Sequence, residues 1–287
     1  MCTGLLHPLD KYLRYSKLPH TWCPGCGIGI ALQAFLRAVK SLEEKGDLTH
    51  DEIVFVTGIG CTGRSALYVK LDGAHTPHGR AIPYAIGVKF FNPRLKVVVF
   101  SGDGDLAGIG GNHLLHAARR NIDLLVIMVN NMIYALTGGQ LAPTTPHSVY
   151  TTTTPQGNPE REIDISKLIM QLRVNYVARW SVSHNVLLER SIRKALLMRG
   201  FRFIEVISPC PEIFGRHLGM KTPFELYDRI RKITRIRKVE KPSDIIFDWE
   251  KEVTCGEFLV QDLPGYLDLY PYTNSKANKD VEAKHTT

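Results

Sequence analysis

The stretch KVVVFSGDGDLAGIGGNHLLHAARRN, residues 96–121, decides the fold. Its first five residues form a nearly unbroken apolar, β-branched run, the pattern of a parallel strand covered on both faces. A glycine-rich turn follows, and residues 110–120 read as a helix. Glycines let the backbone approach a phosphate closely, and a helix N-terminus offers free N–H groups to an anion. The G-x-G-x-x-x-G spacing of Gly102, Gly104 and Gly108 also suits a nicotinamide dinucleotide, but such a pattern alone discriminates poorly. Two features oppose the dinucleotide. Asp103 and Asp105 lie inside the turn and would repel a bare pyrophosphate unless a cation stood between. The next apolar run, residues 124–129, ends in Asn130 and Asn131, not in the carboxylate that holds a dinucleotide ribose. The asparagine carbonyl is a hard oxygen ligand suited to magnesium. Asp103 and Asn131 sit at the carboxyl ends of successive strands, so they can converge on one ion.

Outward from this unit, strands alternate with helices. Residues 28–45 read as an amphipathic helix ended by Gly46, and 52–58 as a strand. Residues 138–159 form a long Gly-, Thr- and Pro-rich loop whose length hints at function. A helix over 163–172, a strand over 176–180, a helix over 185–198 closed near Gly200 and a buried strand over 201–207 complete the series. The alternation predicts an α/β fold with a doubly wound, mostly parallel sheet. Beyond Cys210 the pattern weakens into a basic helix over 224–239 and a polar tail from about residue 270. The expected organisation is an N-terminal arm (1–22), an α/β domain (23–215) and a C-terminal extension (216–287).

The 287 residues, 44% hydrophobic and 22% charged, suffice for a large core and fit a soluble globular protein. No apolar run approaches the roughly 20 residues that span a bilayer, and residues 1–8 lack the features of a secretory signal. A cytoplasmic protein is expected, with no membrane partner. Much of the +8 net charge falls in residues 229–241, which reads as a solvated helix face or a dock for an acidic protein, not as a nucleic-acid site. The six cysteines are Cys2, Cys23, Cys26, Cys61, Cys210 and Cys255. In a cytoplasm such residues bind metals or act in catalysis more often than they form disulfides. Cys23-Pro-Gly-Cys26 suits a zinc half-site, a redox pair or half of a cluster site. No apolar strand precedes Trp22, which disfavours the redox pair. Cys61 and Cys210 each follow an expected strand, so four thiolates could share a site; spacing does not separate zinc from [4Fe–4S].

The GDG turn followed by NN resembles the motif of thiamine diphosphate enzymes. NNMIYALTGGQLAPTTP at 130–146, WCPGCG at 22–27, GIGCTGR at 58–64 and HTPHGRAIPYAIGVK at 75–89 resemble the β-subunits of 2-oxoacid:ferredoxin oxidoreductases, over roughly residues 20–215. The resemblance implies a thiamine diphosphate-binding (PP-type) domain. In it, the side chains of Asp103 and Asn131 and the backbone carbonyl of Ile133 would hold Mg2+. Gly102, Gly104 and Asp105 would flank the diphosphate, with Thr137 reaching it from the following loop. His78 would lie near cofactor and substrate, and Arg64 would meet the substrate carboxylate. Cys23, Cys26, Cys61 and Cys210 would carry one [4Fe–4S] cluster; Cys2 and Cys255 match nothing in the family.

The implied reaction is coenzyme A-dependent oxidative decarboxylation of a 2-oxoacid, or its reverse, with electrons passing through the cluster to ferredoxin. One α/β core leaves no room for the pyrimidine-binding domain, so a partner α-subunit is implied, in an (αβ)2 heterotetramer by family likeness. CPEIFGRHLG at 210–219 resembles the run that follows the last cluster cysteine in 2-oxoglutarate-type subunits, and Arg216 or His217 could meet a second carboxylate. The expected substrate is therefore 2-oxoglutarate, yielding succinyl-CoA. The alternatives are pyruvate or a branched-chain 2-oxoacid, or a cluster-free thiamine diphosphate decarboxylase or synthase.

Overall fold

The computed structural model describes residues 7–270. Apolar periodicity shapes the first helix, α1 (Ile28–Lys45), which buries Ile28, Leu32, Phe35, Leu36 and Val39 along one stripe. Gly46 ends it in the left-handed conformation, donating its N–H to the carbonyls of Glu43 and Leu42. Strand β1 (Ile53–Thr57), the single turn α2 (Ser65–Tyr68), strand β2 (Asp72–His75) and helix α3 (Ala81–Phe91) follow. Then come β3 (Lys96–Gly102), α4 (Gly111–Arg119), β4 (Leu125–Asn130), α5 (Ile165–Met170) and β5 (Tyr176–Ser181). The chain continues through α6 (Asn185–Leu197), β6 (Arg202–Ile207), α7 (Pro223–Ile233), β7 (Thr234–Ile236), β8 (Phe247–Asp248), β9 (Glu252–Val260) and α8 (Tyr266–Leu269).

The strands form one sheet in the order β2-β1-β3-β4-β6-β5-β9-β7, with β8 on β9. The first six are parallel, and β9 runs antiparallel to β5. The sheet is doubly wound and mostly parallel, as the alternation predicts. α1, α6 and the arm cover one face around Phe35, Phe55 and Phe100. α3, α4 and α5 cover the other around Val99, Val126 and Phe203. β4, β5 and β6 are buried along their whole length, which explains their apolar composition. From β1 the chain steps outward to β2 and then returns to the far side of β1 with β3. The carboxyl ends of β1 and β3 therefore mark a topological switch point, where open α/β sheets bind ligands.

One expected element is shorter than its periodicity suggested. The basic helix stops at Ile233, not near Val239. Thr234 and Ile236 are β-branched and pair in parallel with Val253 and Cys255, so sheet pairing overrides the helix. The charges there are mostly paired: Arg231 and Lys232 on Asp228, Arg237 on Glu252. Among the described residues, no helix is long and apolar enough to cross a membrane.

The described part of the arm, residues 7–22, is docked on the domain. Leu9, Tyr12 and Trp22 are buried, and Glu43 of α1 accepts from the Tyr12 hydroxyl, Lys11 (2.9 Å) and His50 (2.7 Å). Burial alone would raise the Glu43 carboxyl, but these bonds outweigh it and hold the pKa at about 2. The unfolded chain takes the ordinary value of 4.5, so this anchor stabilises fully above that pH and is lost as pH falls toward about 2. Amide exchange in residues 9–17 is therefore expected to accelerate between pH 5 and about 2.5 beyond its intrinsic pH dependence. Glu43→Gln should show no such extra acceleration; an identical pH response in both proteins would refute the anchor.

Candidate cofactor and thiol site

A cavity opens at the carboxyl edge of the sheet. Its walls are the loop after β1 (59–62), the turn after β3 (102–105), the loop after β4 (131–137) and His78. Asp103, Asn131 and Ile133 line the same cavity: the Asn131 backbone N–H lies 3.4 Å from Asp103 Oδ1, and the Asn131 side-chain Oδ1 accepts from the Ile133 N–H at 3.3 Å. Asp103 is buried, and burial holds its carboxyl up at about 6 although the Thr144 hydroxyl and the Asn131 N–H oppose the shift. A nearby divalent cation favours the ionised form of such a group. The donor set is oxygen only, the kind a hard cation takes.

The GDG turn fits close approach of an anionic group. A Cβ on Gly102 would meet nothing nearer than Thr62 Oγ1 at 3.5 Å, so the turn borders open space there. Gly104 differs: a Cβ there would strike the Tyr134 ring at 2.4 Å. Tyr134 lies against the turn and donates its hydroxyl to the Gly104 carbonyl at 2.9 Å. The second glycine is thus required by the protein's own packing, while the first faces open space.

Asp105 lines the cavity, but its oxygens are committed. Oδ1 accepts from the N–H groups of Ile59 (3.1 Å) and Gly79 (2.8 Å) and from His78 Nδ1 (2.8 Å). Oδ2 accepts from the Ser101 hydroxyl at 2.9 Å. Asp105 therefore ties the loops after β1 and β2 to the turn and fixes the His78 ring. With Nδ1 donating, His78 Nε2 is the nitrogen left to accept or release a proton. Thr137 stands at the rim, its hydroxyl on Gln140 Oε1 at 2.6 Å.

All four candidate cysteines line a second, smaller cavity. Cys61, Asn131 and Ala135 belong to the walls of both cavities, so the two share a partition. Cys23 and Cys26 precede α1, Cys61 follows β1, and Cys210 follows β6. Burial pushes the Cys26 thiol up to about 12 and Cys210 up to about 11, with the neighbouring cysteines adding to the rise and backbone N–H groups opposing it. Cys61 is also raised by burial, against the Arg64 charge. The thiols ring the cavity without converging on a point: among the described residues, no three His, Cys, Asp or Glu groups stand close enough to hold a metal ion. Cys255 is buried in β9, beside Arg179 and Glu205 and outside the thiol cavity. Cys2 lies outside the described residues.

Arg64 lines the thiol cavity, with Nη1 on Thr21 Oγ1 at 3.0 Å, and is not part of the larger cavity's wall. Arg216 is exposed and pairs with Glu212, while His217 packs edge-on against Tyr150. Sequence reasoning missed three residues. Thr144 donates to Asp103 Oδ2, Thr145 donates to the Met132 carbonyl at 2.6 Å, and Tyr134 braces the turn. The threonine pair flanked by Pro143 and Pro146 was the available signal.

The model of the thiamine pyrophosphate enzyme C-terminal TPP binding domain matches residues 58–206. The 2-oxoglutarate synthase subunit KorB of Methanothermobacter marburgensis is 44% identical over 95% of this chain and 94% of its own length. A β-subunit of the 2-oxoacid:ferredoxin oxidoreductase from Saccharolobus solfataricus is 35% identical, over 87% and 88% of the two chains. In structure, the chain is similar to a 2-oxoglutarate:ferredoxin oxidoreductase from Magnetococcus marinus, solved with 2-oxoglutarate, coenzyme A and succinyl-CoA bound. The TM-score is 0.81 at 26% identity, covering 98% of this chain and 96% of that one. The chain has a thiamine diphosphate-binding domain and belongs to the β-subunits of the 2-oxoacid:ferredoxin oxidoreductases.

Proposed function

We infer that this chain is the β-subunit of a coenzyme A-dependent 2-oxoglutarate:ferredoxin oxidoreductase, interconverting 2-oxoglutarate with succinyl-CoA and CO2. The observation that carries the reading is the shared partition: four thiols line a cavity that abuts the thiamine diphosphate pocket through Cys61, Asn131 and Ala135. Thiamine diphosphate, when bound, supplies the electron sink for decarboxylation of a 2-oxoacid. Asp103, Asn131 and Ile133 would hold its Mg2+, and Gly102 leaves room for the diphosphate. Cys23, Cys26, Cys61 and Cys210 would hold one [4Fe–4S] cluster, which takes four thiolates. The raised thiols must lose their protons on loading, so assembly releases protons. His78, oriented by Asp105, presents Nε2 for proton movement beside the substrate. Arg64 on the thiol side carries the charge that attracts the substrate carboxylate.

A partner α-subunit supplies the pyrimidine-binding domain, and we assign an (αβ)2 assembly, ferredoxin as electron carrier and a cytoplasmic location, where such thiols stay reduced. The relatives named for 2-oxoglutarate support that substrate over pyruvate or a branched-chain 2-oxoacid. The test is kcat/KM for 2-oxoglutarate, pyruvate and 2-oxoisovalerate in the complete complex with coenzyme A and an electron acceptor. 2-Oxoglutarate is expected to lead. Pyruvate ahead by more than about tenfold, roughly 1.4 kcal/mol in the transition state, would overturn the assignment.

A further inference from the structure

The Asp103–Asn131 site rests on a buried polar bridge that runs away from the cavity into the sheet. Asn130 precedes the ligand candidate Asn131 but is absent from the cavity wall. Its Nδ2 donates to Glu205 Oε1 at 2.7 Å, and its Oδ1 accepts the Met132 N–H at 3.0 Å. Met132 takes a left-handed backbone, φ 64°, unusual for a side chain of its size. The Asn130 side chain thus holds the Met132 N–H of a turn in an uncommon conformation, with Thr145 on the Met132 carbonyl and Asn131 Oδ1 on the Ile133 N–H. Glu205 is itself fixed. It sits opposite Arg179 in the β5–β6 register, and its Oε2 accepts from Arg179 Nε (2.8 Å) and from the Ser166 hydroxyl (2.5 Å). Arg179 also donates to Asp164, at the cap of α5 where the long loop ends. Asn130, Glu205 and Arg179 are all buried.

We propose that Asn130 is a positioning residue for the cofactor site: anchored on the Glu205–Arg179 pair, it fixes the 131–133 turn and so sets affinity for thiamine diphosphate and its divalent cation. This rests on the reading of Asp103 and Asn131 as the cation site. The bridge also makes an electrostatic demand. Glu205 needs a donor on its Asn130 side and donors on its Arg179 side, while the Met132 N–H needs an acceptor. Asn130→Asp alone sets two carboxylates face to face. Glu205→Gln alone sets two amide donors face to face or, if Asn130 flips, turns its NH2 toward the Met132 N–H. Asn130→Asp together with Glu205→Gln restores a donor and an acceptor to each contact of the bridge. The new amide at position 205 donates to the new carboxylate at position 130, and its carbonyl still accepts from Arg179 and Ser166. The carboxylate at position 130 still accepts the Met132 N–H.

The test uses the complete complex, stripped of cofactor and cation, and titrates thiamine diphosphate at fixed Mg2+. Far-UV circular dichroism and the thermal midpoint monitor the fold. Asn130→Ala leaves the Glu205–Arg179 pair intact and should weaken binding about 10- to 100-fold, the range for residues that orient metal ligands. Its kcat at saturating cofactor should change far less than its affinity. Asn130→Asp should bind as weakly, and the double exchange should recover most of the loss. Asp103→Ala serves as the reference. Wild-type affinity in Asp103→Ala would sink the site reading itself. Loss in Asp103→Ala with Asn130→Ala within about twofold of wild type, or no recovery in a folded double variant, would overturn the bridge alone.

Discussion

Asp103→Ala is expected to abolish measurable thiamine diphosphate binding in the presence of Mg2+ while the chain stays folded. The loss should exceed about 100-fold, since residues that merely orient ligands already cost 10- to 100-fold. Two structural facts support the separation of binding from folding. Asp103 lies after the last residue of β3, so its side chain holds no ladder together. Its burial raises its own pKa to about 6, so removal relieves the cost of a buried carboxyl, which offsets the loss of its bonds from Thr144 and Asn131. Asn131→Ala should weaken binding in the same direction. Calorimetric titration with parallel circular dichroism checks both, and normal affinity in a folded Asp103→Ala protein contradicts the assignment.

Much of this site was legible because it lies where short-range signals are strongest. β3 and β4 announce themselves as apolar runs, and the polar residues that end them, Asp103 and Asn131, lie at the edge where ligands bind. α1 and its Gly46 cap follow from periodicity and punctuation. β2 was not legible. Its sequence, DGAH, lacks β-branched residues, and it exists by pairing with Val54–Thr57 of β1 at the sheet edge. Thr144 was missed because it meets Asp103 across 41 residues, through a loop with no periodicity. Asp105 lines the cavity as expected of a residue beside the turn, but its tie to the loops after β1 and β2 was not legible. Its four protein donors come from residues 59, 78, 79 and 101, which no local pattern connects. Arg179 and Glu205 carried an unused signal: opposite charges inside apolar strands must find partners. They are Cα partners in neighbouring strands.

The second large effect concerns the thiols. Serine at Cys23, Cys26, Cys61 or Cys210 should cut iron content sharply and abolish electron transfer to ferredoxin, because a four-thiolate cluster loses one ligand. Cys255→Ser should keep its iron, since Cys255 lies in β9 away from the thiol cavity. Its cost is to stability alone, from placing a hydroxyl at a fully buried position. Iron retained in Cys210→Ser and lost in Cys255→Ser would reverse the ligand set.

The most direct measurement is iron, acid-labile sulfide, zinc and thiamine diphosphate content of the complex purified without oxygen. About four iron and four sulfide per chain are expected, as a [4Fe–4S] cluster requires, with one thiamine diphosphate per chain. Zinc at one per chain with no sulfide would contradict the cluster beside the cofactor pocket.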